Sequence, residues 1–99
     1  MNFSFHPEAE EEFLAAIDYH EERENGLGLD FSIEIYAAIQ LIVAHPNAWP
    51  VLEEDVRRCL VNRFPYGILY AIAREEIVIL AAMHQRRRPD YWKDRAGVL

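Results

Sequence analysis

The segment His84-Gln85-Arg86-Arg87-Arg88-Pro89-Asp90-Tyr91-Trp92-Lys93-Asp94-Arg95 gathers arginines beside two adjacent aromatic rings. A guanidinium fork holds a phosphate through two parallel hydrogen bonds, and an aromatic ring stacks on a base. An arginine working with a tyrosine can stabilise the charge that develops in phosphodiester cleavage and move the proton it requires. The same residues have a structural alternative. Tyr91 and Trp92 can pack a C-terminal turn against the protein body, with Arg88 and Arg95 paired to Asp90, Asp94 or the acidic helices upstream. Residue types alone favour that alternative.

Other chemistry is weaker. His6, His20, His45 and His84 lack cysteine partners and the paired helical spacing of a zinc site, so no metal is expected. No glycine-rich phosphate loop is present, and no cofactor is expected. Cys59 is the single cysteine, which rules out an internal disulfide and fits a reducing compartment. It alternates into a strand as a small core residue. Glu10, Glu11 and Glu12 are consecutive and fan around a helix, while Glu8 and Glu12 are spaced to approach each other; a solvated acidic face is the simplest reading. His20 lies on the buried stripe of that helix.

The net charge of −7 argues against a nucleic-acid partner as an average, but the charge is split. Residues 1–56 hold 13 acids against Arg23, a net of −12, and residues 57–99 hold nine bases against four acids, a net of +5. An acidic helical half would attract a partner rich in Lys and Arg, and would also complement the basic half within the fold.

The elements that must position these residues follow from periodicity. Phe3 and Phe5 alternate in a short strand, and Pro7 suits a first helical position. Ala9, Phe13, Ala16, Ile17 and His20 form one apolar stripe on a helix over Pro7–Glu24. Asn25-Gly26 supplies a left-handed turn that Leu27-Gly28 continues. A second helix, Asp30–Ala44, is apolar well beyond one stripe, so its face is either sandwiched or kept for a partner. Pro46 stops it, and a loop runs to about Asp55. From Val56 the period becomes two through Phe64; Pro65-Tyr66-Gly67 turns the chain, and strands follow over Ile68–Ala73 and Ile77–His84, joined by Arg74-Glu75-Glu76. The last strand is apolar enough for the sheet centre. A short helix over Pro89–Lys93 is expected in the C-terminal tail.

These elements predict one α+β domain over residues 1–99, with 52% hydrophobic residues to build its core. A helical hairpin packs on one face of a mostly antiparallel three- to four-stranded sheet. On the other face Arg57 or Arg58, Arg63 and His84 can line a shallow groove with Arg86, Arg87 and Arg88. No stretch reads as a signal peptide or membrane span, so a soluble, cytoplasmic protein is expected.

The order of Phe5-His6-Pro7-Glu8-Ala9-Glu10-Glu11-Glu12, Gly26-Leu27-Gly28-Leu29-Asp30-Phe31, Arg57, Arg63-Phe64-Pro65-Tyr66-Gly67-Ile68-Leu69-Tyr70, Ile77–His84, Arg88-Pro89-Asp90-Tyr91-Trp92 and Arg95 resembles the RelE/ParE toxins, especially the ParE-like branch. The resemblance spans nearly the whole chain. It implies a toxin neutralised by a cognate antitoxin in a hetero-oligomer, with Phe13, Ile33, Tyr36 and Leu41 as candidate antitoxin contacts. RelE-like members cut messenger RNA on the ribosome, which would make Arg57, Arg63, His84, Arg87 and Tyr91 the candidate catalytic residues. ParE-like members inhibit DNA gyrase without a comparable set. In either case Arg86, Arg88, Trp92 and Arg95 are candidates for contact with the target. Lys93 is the only lysine and the chain is acidic, which favours gyrase inhibition. A ribosome-dependent endoribonuclease and a non-toxic antitoxin-binding module are the alternatives.

Overall fold

Strand gives way to helix at His6-Pro7, where the His6 ring Nδ1 accepts a hydrogen bond from the Glu8 amide at 3.2 Å and caps the helix. In the computed structural model, which describes residues 1–97, β1 (Asn2–Phe5) leads into α1 (Pro7–Arg23) and α2 (Leu27–Ala44). Strands β2 (Val51–Glu53), β3 (Val56–Leu60), β4 (Tyr66–Ala73) and β5 (Glu76–His84) follow, then the short α3 (Lys93–Ala96).

The turn after α1 is left-handed at Gly26, with φ at +86°, as Asn25-Gly26 predicts. Helix α2 starts at Leu27, earlier than the expected Asp30, because its first amides are satisfied from outside. The Glu21 carboxylate of α1 accepts from the Gly26 and Gly28 amides at 2.9 and 3.0 Å. Gly28 also lets the helices touch, since a Cβ there would lie 2.6 Å from the Ile17 carbonyl oxygen. Helix α2 has 18 residues and a mean hydropathy of 1.6, the length and composition of a membrane span. Its Phe31, Ile35, Ile39 and Ile42 are nonetheless core residues of this fold.

The sheet has five strands in the order β1-β5-β4-β3-β2. The fifth is β2, an exposed edge strand inside the segment expected to be loop. Its three residues show no apolar period, so sequence pattern has nothing to detect. Strand β3 ends at Leu60 instead of Phe64: Arg63 turns left-handed at φ +71°, and Pro65 has no N–H for the ladder. Strand β4 accordingly starts at Tyr66, within the expected turn. All pairings are antiparallel except β1 with β5. Strand β5 takes the interior position that its apolar sequence predicts, between β1 and β4.

Both helices cover one sheet face, where Phe13, Phe31, Ile35 and Ile39 meet Ile68, Tyr70, Ile77 and Ile79. A second apolar cluster, with Val56, Leu69, Leu80, Ala81, Met83 and Trp92, lies apart from it. A register shift opposite Leu69/Tyr70 pairs Leu69 with Ala81 and Tyr70 with Ile79, so Leu80 is an extra residue in β5. The bulge is why the consecutive residues Leu80 and Ala81 share this second cluster despite the two-residue period of a strand. The expected C-terminal helix over Pro89–Lys93 is displaced: residues 89–92 form turns, and helix begins at Lys93.

Candidate functional site

Strand β1 stops pairing at the Phe5–Ile79 position, leaving the last part of β5 with a free edge. Glu12 of α1 reaches that edge, and its Oε1 accepts from the Ala82 amide at 3.2 Å. The same oxygen accepts from Arg95 Nη1 at 3.2 Å, and Arg95 Nη1 also donates to the Leu80 carbonyl at 2.9 Å. Arg95 Nε lies 3.4 Å from Glu8 Oε2. An arginine that is only 8% exposed thus has its charge and its donors met by two acids and a strand carbonyl.

Arg87 joins from the turn after β5, with Nη1 3.4 Å from Glu12 Oε2. Between the arginines lies the Tyr91 ring, its centroid 3.9 Å from the Arg87 guanidinium carbon and 5.0 Å from that of Arg95. Both are within cation–π range. The Tyr91 hydroxyl is buried without a hydrogen-bond partner among the described residues. Burial first, and the neighbouring Glu12 carboxylate second, push its ionisation well above the ordinary tyrosine range. The phenol therefore stays neutral at physiological pH.

The other candidates lie elsewhere. Arg57 donates to the carbonyls of Trp49 at 2.6 Å and Asn47 at 3.3 Å, fixing the segment between α2 and β2. Arg63 is exposed and loosely paired with Asp30 and Glu34 of α2 at 3.7 and 3.9 Å. His84 Nδ1 accepts from the Arg86 amide at 3.0 Å, and its ring meets Tyr66 edge-on at 5.2 Å. Arg86 is exposed, and Arg88 pairs with Asp90 at 3.2 Å. Trp92 is buried, and its indole donates to the Pro89 carbonyl at 2.7 Å. The structure brings together Arg87, Tyr91 and Arg95; Arg57 and Arg63 are tied to other segments. Of the expected target contacts, Trp92 before α3 and Arg95 within it are buried.

Among the proposed antitoxin contacts, Ile33, Tyr36 and Leu41 are 54%, 45% and 53% exposed. Phe13 is 2% exposed, stacked on Phe5 at 5.5 Å and edge-on to Tyr36 at the same distance. It supports the surface from beneath because it points along the stripe that α1 buries.

Sequence reading missed Glu12 by grouping it with Glu10 and Glu11 as a solvated run. Its spacing held the signal: three residues after Ala9 and four before Ala16, Glu12 borders the buried stripe, and Glu8 falls on the same side. Arg58, which the strand period does not separate from Arg57, lines a groove with Leu52, Met83 and Trp92.

Residues 3–89 match the family described as ParE toxin of type II toxin-antitoxin system, parDE. No curated protein matches the chain. The matched span takes in α1, α2, β2 to β5, all of β1 but Asn2, and the arginine run, and it stops short of Tyr91, Trp92 and Arg95. On that match, covering nearly all of its length, the chain belongs to the ParE toxin family of type II toxin–antitoxin systems.

Proposed function

We propose that this toxin acts in the cytoplasm by inhibiting DNA gyrase without a catalytic step of its own, and that a cognate antitoxin neutralises it in a hetero-oligomer. The observation that carries the reading is the state of Arg87 and Tyr91. An RNA-cleaving site needs a tyrosine that exchanges protons and arginines open to phosphate. Here Tyr91 has a buried hydroxyl and a raised pKa, and Arg87, although half-exposed, is stacked on it and paired with Glu12. Of the other arginines such a site would need, Arg57 is hydrogen-bonded to the loop after α2, and Arg63 lies beside Asp30 and Glu34 of α2, away from Tyr91. The exposed Ile33, Tyr36 and Leu41 of α2 suit a partner with an apolar face.

Regulated expression in a bacterial host, with and without the adjacent small reading frame, tests both halves of the proposal. The expected result is growth arrest with intact messenger RNA and altered plasmid supercoiling, relieved by the neighbouring product. Arrest with RNA cleavage would transfer the activity to the endoribonuclease class. Unimpaired growth at confirmed expression would identify a binding module without toxicity.

A further inference from the structure

We propose that the groove around Arg58 docks an acidic but otherwise apolar peptide segment, with a carboxylate of the peptide paired to Arg58. The groove is open to solvent, has a volume of about 570 Å³ and is lined by Leu52, Arg58, Met83, Pro89, Trp92 and Lys93. A smaller hollow shares Arg58 and Met83 with it and adds Leu60, Gly67 and Gln85, so the two form one continuous surface. Gly67 makes room for the arginine stem, since a Cβ there would lie 3.3 Å from Arg58 Cγ. Leu52 and Leu60 flank the arginine at 40% and 54% exposure.

Charge complementarity selects the occupant. Two other cations of the lining are already matched, Arg88 to Asp90 at 3.2 Å and Lys93 to Glu53 at 3.1 Å. Arg58 is exposed and has no carboxylate at salt-bridge distance among the described residues. One unmatched guanidinium between apolar side chains calls for one carboxylate between apolar side chains. A nucleic-acid strand fits less well. It brings a phosphate with every nucleotide against a rim that carries Glu53 and Asp90, and it needs exposed rings for its bases. Trp92 is 2% exposed, and Tyr91 is covered by Arg87. The proposal is independent of which target the toxin inhibits.

The test is fluorescence anisotropy on the full chain with a labelled Leu-Ala-Leu-Glu-Phe-Ala-Leu peptide, its Gln-for-Glu counterpart, and a labelled oligouridylate, joined to amide chemical-shift mapping. The expected result is binding of the Glu peptide, with shifts at Arg58, Gly67 and Met83. The Gln peptide and the R58Q variant should each weaken it at least tenfold, and E10Q should leave it unchanged. Arg58 is exposed, so R58Q is expected to fold, and its circular dichroism and Tm verify this. Equal binding of the Gln peptide would overturn the proposal, as would binding of neither probe. Oligouridylate binding that R58Q removes would overturn it in favour of a nucleic-acid surface.

Discussion

Glu12 and Arg95 lie 83 residues apart in sequence and meet at 3.2 Å over the free edge of β5. The contact ties α1 to α3, with the Ala82 amide and Leu80 carbonyl of β5 bonded to the same two side chains. The Leu80 bulge disturbs the regular ladder just where this bridge forms. Because the pair is buried, the contact matters through what its loss would leave behind: an arginine out of water with its main carboxylate gone.

Replacing Glu12 by Ala should therefore lower stability by about 3 kcal/mol, the scale for breaking one side of a buried pair. Glu10→Ala, in the same acidic run but exposed, should change it by under about 0.5 kcal/mol. Urea denaturation of the two variants separates these values; equal effects would mean the bridge is incidental.

Tyr91→Phe removes a hydroxyl that is buried beside the Glu12 carboxylate with no well-formed hydrogen bond among the described residues. Stability should hold or rise by about 1 kcal/mol, since an unsatisfied polar group is removed. Growth arrest should persist in this variant. Loss of toxicity with an unchanged Tm would give the hydroxyl a direct functional role.

Between β4 and β5, Arg74 and Glu75 occupy the two central turn positions with φ of +54° and +64°. This is the geometry of a two-residue hairpin in which Asn-Gly is preferred. Substituting Asn and Gly at these positions should raise stability by about 1–2 kcal/mol, and the Tm of the double variant checks it. At Gly28 the sign reverses. A Cβ would strike the Ile17 backbone oxygen, so Gly28→Ala should cost about 1–3 kcal/mol.

Burial raises the Cys59 thiol pKa from the ordinary 9.0 to about 11. The folded state thus favours the neutral thiol, and this contribution to stability is fully present below pH 9 and lost as pH rises through about 11. Iodoacetamide labelling of the native protein at neutral pH should be slow, and urea midpoints should fall across that alkaline window. A Cys59→Ala variant should show a shallower fall.

Much of this architecture is legible in the sequence because apolar period reports burial. The Phe13 stripe, the wide apolar α2 and the interior placement of Ile77–His84 all follow from it. What period cannot show are features held by polar contacts or by the pairing of distant segments. Strand β2 exists through its pairing of Val51 with Arg57, the early start of α2 depends on the Glu21 carboxylate, and the bulge arises where β5 meets β4. The arginines of the candidate site illustrate the same limit. Their types suggest phosphate chemistry, but their partners decide their roles, and Glu12, which sets those of Arg87 and Arg95, lies in the opposite half of the chain.

The most direct test of gyrase as the target is supercoiling of relaxed plasmid by purified DNA gyrase in the presence of the purified chain. A gyrase inhibitor should give inhibition that rises with the amount of chain, is shared by Tyr91→Phe, and is abolished when the product of the adjacent reading frame is added. Unimpeded supercoiling at excess chain, under conditions where the same preparation cleaves ribosome-bound messenger RNA, would contradict it.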